Sequence, residues 1–88
     1  MKVNVIVTIH SIEVLSAERL GELTMLLTVT FGAGVAINTD KHVAEVRLVT
    51  ADISTLFRTV ENLIVRLARQ YSEKLWVSVG TDWKDEEQ

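Results

Sequence analysis

The chain has 88 residues, with 9 Lys plus Arg against 12 Asp plus Glu, 48% apolar side chains, no Cys and no Pro. That length holds one domain, and so apolar a composition excludes intrinsic disorder. Without Cys there is no disulfide framework, thiolate metal site or thiol nucleophile, and a net charge of −3 lacks the basic surface of a nucleic-acid binder.

Residues 3–14 alternate. Val3, Val5, Val7 and Ile9 share one face, but Ile12 and Val14 have the opposite parity, which predicts a strand with a bulge near His10 and Ser11. Lys2 is the one early positive charge, and Asn4, Thr8 and His10 interrupt the apolar run, so no secretory leader is expected. Ser16 to Glu22 reads as a polar connection or a single helical turn.

Residues 23–38 hold the longest alternation. Leu23, Met25, Leu27, Val29, Phe31, Ala33, Val35 and Ile37 are all apolar, whereas among the even positions only Leu26 and Ala36 are. Strict period two, reinforced by three β-branched Thr, predicts a long strand with one buried face and a bend at Gly32 and Gly34. The rival reading caps a helix at Ser16, with a stripe of Leu20, Leu23, Leu27 and Phe31. The uncharged stretch from Leu23 to Thr39 carries four Thr, two Gly and Asn38 among its 17 residues, too short and too polar for a membrane span.

Asn38 to Lys41 is a turn signal, and residues 42–50 alternate Ala44, Val46 and Leu48 with Glu45 and Arg47 as a one-sided strand should. Asp52 then caps a helix whose inward residues are Ile53, Leu56, Phe57, Val60, Leu63, Ile64, Leu67, Ala68 and Tyr71. A final strand covers residues 75–79, with Leu75, Val77 and Val79 on one face and Trp76 and Ser78 on the other. The expected fold is α+β: an antiparallel sheet of long strands in the order β-β-β-α-β, with one long helix on one face. The alternative is the ferredoxin-like order β-α-β-β-α-β. Residues 1–80 form the single domain, and 81–88 an acidic, frayed tail.

Chemistry-bearing patterns are weak. His10 and His42 belong to no metal-ligand spacing, no G-x-S-x-G surrounds any serine, and the carboxylates fall in polar segments. Phe31-Gly32-Ala33-Gly34 is half of a phosphate-binding fingerprint without its third glycine or a following helix start. No catalytic residue, metal or cofactor is therefore assigned, and His10 is the one candidate ligand-binding residue. The far side of the sheet is unusual. In the strand reading it carries Ile6, Leu26, Val43, Val49 and Trp76 among Thr28 and Thr30, with Glu45 and Arg47 as its only charges. A sheet face that meets water is ordinarily more polar, so these seven residues are expected to form an interface.

The expected protein is a small acidic, cytoplasmic, non-enzymatic interaction module. It self-associates as a homodimer through the open sheet face or a strand edge, with neither membrane nor nucleic acid as partner. One alternative is an inhibitor or adaptor of phage or mobile-element type that docks on a larger protein. Another is a small-molecule-binding oligomer with its site near the bulge and Trp76.

Overall fold

The structure, a computed structural model, describes residues 2–32, 35–71 and 74–82. The elements run β1 (Val3–Ser11), α1 (Ala17–Phe31), β2 (Ala36–Asp40), β3 (Val43–Thr50), α2 (Ile53–Gln70) and β4 (Leu75–Asp82). They build one antiparallel four-stranded sheet in the order β2-β3-β1-β4. Two split β-α-β units interleave, so the alternative ferredoxin-like order is the observed one, and the order β-β-β-α-β with one helix is corrected.

The correction falls on residues 17–31, which form a helix where the long strand was expected. Ser16 opens it, its hydroxyl accepting from the Arg19 amide at 3.0 Å. Leu23, Leu26 and Leu27 are buried, Leu20 and Phe31 pack beside them, and Met25 and Val29 stand in solvent. The perfect odd-position alternation was thus a coincidence of two residues that the helix leaves outside. The Thr residues are accommodated because Thr24, Thr28 and Thr30 each donate their hydroxyl to the carbonyl four residues back, at 2.9, 2.9 and 2.7 Å. Gly32 ends the helix at φ 107°, where an L side chain is strained, and its amide donates to the Thr28 carbonyl at 2.8 Å. It is a helix terminus and not a bend within a strand, while Gly34 lies outside the described residues.

Geometry also demands the second helix. Four strands spaced ~4.8 Å apart make a face wider than the ~10 Å of one helix, so a single helix would leave apolar residues wet. With two, Val5, Val7, Ile9, Ala44 and Val46 are sealed beneath Leu23, Leu27 and Leu63. Across the layer, the Arg19 guanidinium lies over the Tyr71 ring, 4.6 Å from its centroid, and joins the start of α1 to the end of α2.

β1 has no bulge. Its pairing runs unbroken from Val3 to His10 against β3 and from Asn4 to Ser11 against β4. Parity switches at Ile12 because the chain has left the sheet there. Ile12 and Val14 are exposed, and Leu15 turns inward as its amide donates to the Lys41 carbonyl at 2.8 Å. The β2–β3 turn is Lys41–His42, one residue later than the turn signal suggests, with Asp40 Oδ1 accepting from the Lys41 amide.

Asp52 caps α2 as expected, and Leu56, Val60, Leu63 and Leu67 form its buried line. Three residues assigned to that inward face are exposed instead: Phe57, Ile64 and Ala68. β4 continues through Thr81 and Asp82, which belong to the sheet and not to the tail; residues 83–88 lie outside the described residues.

Candidate interaction surface

The sheet face opposite the helices is ordered by register into rows. Asp40, Val43, His10 and Trp76 make one row; Asn38, Glu45, Thr8 and Ser78 the next; then Ala36, Arg47, Ile6 and Gly80; and finally Val49 and Asn4. Ile6, Val43, Val49 and Trp76 therefore do share the outer face, Val49 and Trp76 being the exposed pair at 57% and 50%. Leu26, Thr28 and Thr30 are corrected: they lie in α1, on the other side of the sheet. Leu26 is only 8% exposed in the core, and the two Thr hydroxyls are held by helix carbonyls.

The apolar residues of this face do not form one patch. A polar centre separates Trp76 and Val43 from Val49: Glu45 Oε2 accepts from Arg47 Nε at 3.2 Å and from Asn38 Nδ2 at 3.4 Å. Sheet-on-sheet pairing would bury that ion pair, and desolvation opposes it.

His10 sits in a regular strand beside Trp76. The two rings stack with centroids 5.0 Å apart and planes 8° from parallel, and His10 Nε2 meets Ser78 Oγ at 2.8 Å. The stack holds the indole on the outer face near the sheet margin. His42 lies in the β2–β3 turn, its Nδ1 3.3 Å from the Ser11 carbonyl. The structure thus gives the two imidazoles separate structural contacts and does not bring them together.

The sheet margins differ. β2 is a five-residue edge with Asn38, Thr39 and Asp40 exposed on it, a short polar margin that discourages pairing. β4 is eight residues long and uncharged from Leu75 to Thr81. Its hydrogen-bonding phase follows from one contact: the Ser11 amide donates to the His42 carbonyl at 2.8 Å, one step beyond the His10–Val43 pair. In an antiparallel ladder hydrogen-bonded residues alternate, so odd residues of β1 bond to β3 and even ones to β4. The even residues of β4 face β1. Leu75, Val77, Val79 and Thr81 consequently aim their N–H and C=O groups out of the free edge.

A groove of about 270 Å³ runs beside that edge, lined by Ile64, Leu67, Ala68, Leu75, Trp76 and Val77. It exists because the apolar stripe of α2 is wider than the sheet beneath it. Phe57, Ile64 and Ala68 fall on one line of the helix by their spacing, and Phe57 and Ile64 remain 50% and 46% exposed. Sequence reasoning placed all three in the core; only the strand order, with β4 at the margin, leaves them outside. Ser78 and Gly80 were likewise passed over, being small residues whose place on an edge no local pattern reveals.

No family model matches the chain, and no curated protein matches it. Among the described residues no helix is long and apolar enough to cross a membrane.

Proposed function

We propose that the chain is a small non-enzymatic protein–protein interaction module that self-associates by adding a strand at the free edge of β4. One observation carries the reading: an eight-residue strand, uncharged from Leu75 to Thr81, turns four sets of backbone groups outward beside an apolar groove on α2. Backbone pairing supplies affinity at such an edge, and flanking side chains supply selectivity. Trp76 suits an anchoring role, since it is half exposed and the His10 stack fixes its orientation at little further entropy cost. The non-enzymatic part is supported by His10, whose ring is committed to Ser78 and Trp76.

Amide hydrogen exchange tests the reading. On raising the concentration from low micromolar to several hundred micromolar, the Val77 and Val79 amides gain protection while dimer mass appears in light scattering. Trp76 and Ser78, already bonded to β1, are protected throughout. A dimer whose Val77 and Val79 amides exchange freely would place the contact on the open face, and a monomer at every concentration would remove self-association.

A further inference from the structure

We infer that the strand added at this edge is β4 of a second copy, paired antiparallel about a two-fold axis through Ser78. This rests on the edge reading above and specifies its occupant and register.

Symmetry limits the possibilities. An isologous antiparallel edge pair keeps both helix layers on one side of a continuous sheet, so paired residues have equal parity and the axis passes through a residue. Three axes are central to β4: Val77, Ser78 and Val79. On Ser78, Leu75 meets Thr81 and Val77 meets Val79, so all four outward-facing residues of each strand are hydrogen-bonded. An axis on Val77 leaves Thr81 without a strand partner, and one on Val79 leaves Leu75 without one.

The Ser78 axis also matches side-chain chemistry. It sets Trp76 across from Gly80, where a Cβ would meet no atom within 4 Å, and does so twice. A large ring laid over a strand glycine covers the backbone that the glycine leaves bare. Ser78 meets its own copy, small enough for the close approach of a pair without hydrogen bonds between its residues. The Val79 axis sets Gly80 against Ser78, and the Val77 axis sets it against Lys74; neither lays a ring over the glycine.

Three measurements on the full chain test the register. Ser78→Cys introduces the sole thiol, and its Cα lies ~4.5 Å from the partner's, within disulfide reach. Under oxidised glutathione it is expected to yield a covalent dimer, whereas Val79→Cys, which faces Val77, is not. Trp76→Gly, which uncovers Gly80 in two places, is expected to weaken the dimer about tenfold. The double variant W76G/G80W, which again sets a ring across from a glycine, is expected to restore most of the affinity. Protected Val77 and Val79 amides with no Ser78→Cys cross-link and no rescue by the double variant would overturn the register and leave the edge reading intact. Unprotected amides in a monomeric protein would overturn both.

Discussion

Leu26 and Met25 are neighbours whose roles exchange between the strand expected for residues 23–38 and the observed helix. In the strand Met25 faces the core and Leu26 the outside. In α1 Leu26 is 8% exposed and Met25 is 69% exposed. Leu26→Ala removes three buried carbons at ~0.8 kcal/mol each, or ~2.4 kcal/mol, and incomplete closure of the cavity adds to that. The site is at the margin of the core, so a total of about 2–3 kcal/mol is expected. With an unfolding entropy of ~2.1 cal/mol/K per residue over the 88 residues, the loss corresponds to a fall in Tm of roughly 11–16 °C. Met25→Ala exchanges one good helix former for a better one at an exposed position, so a change within ~0.5 kcal/mol, under about 3 °C, is expected. Thermal unfolding by circular dichroism at one fixed protein concentration compares the two, because association makes Tm depend on concentration. A large loss for Met25→Ala with a small one for Leu26→Ala would refute the helix and restore the strand. The buried position also makes Leu26→Glu a folding defect and not a probe of the interface.

Gly32→Ala is expected to cost about 1–2 kcal/mol by chemical denaturation: the added Cβ meets nothing within 4 Å, but φ 107° strains any L residue. A neutral effect would remove the need for glycine at that helix end. Asp52 supplies a pH dependence. The Thr55 hydroxyl and then the Thr55 amide, at 2.6 and 3.0 Å, hold its carboxyl below the usual aspartate range. A depressed folded-state pKa means that its stabilisation is complete above the ordinary aspartate range and fades as pH falls through the lowered value. Melts of the wild type and Asp52→Asn are expected to keep a constant difference near neutrality, which then shifts against the wild type in acid. A difference unchanged from about pH 7 to about pH 2.5 would contradict that role.

α2 was legible because its signals agreed: the Asp52 cap, the line Leu56–Val60–Leu63–Leu67 and the Arg-rich opposite side describe one helix. β1, β3 and β4 were legible from period-two alternation. α1 was not, since five odd apolar residues from Leu23 to Phe31 satisfy both periods in part. What decides is partly local, in the Ser16 cap and the Gly32 terminus, and partly global, in the width of sheet that needs cover. The outer-face placement of Ile6, Val43, Val49 and Trp76 survives because it depends only on strand parity. The free edge and its groove are different in kind. Which strand is marginal is a property of topology, so Phe57, Ile64 and Ala68 read as core until β4 is seen to end the sheet.

That topology bears on how a small apolar chain avoids open-ended aggregation. A long uncharged edge strand is a hazard, since it accepts any extended segment. Two features here oppose propagation. The other margin, β2, is short and polar, so head-to-tail growth from β4 of one copy to β2 of the next pairs a long strand with a poor one. Isologous β4 pairing, in contrast, consumes both long edges at once and closes. Trp76 and Gly80 then act as the register stop in that pairing: a slip of two residues takes the ring off the glycine. A dimer built this way exposes only two β2 margins, both polar. The expected outcome is an association that stops at two copies however concentrated the sample, and a regular ladder of higher species in sedimentation velocity would show that the edge does not close.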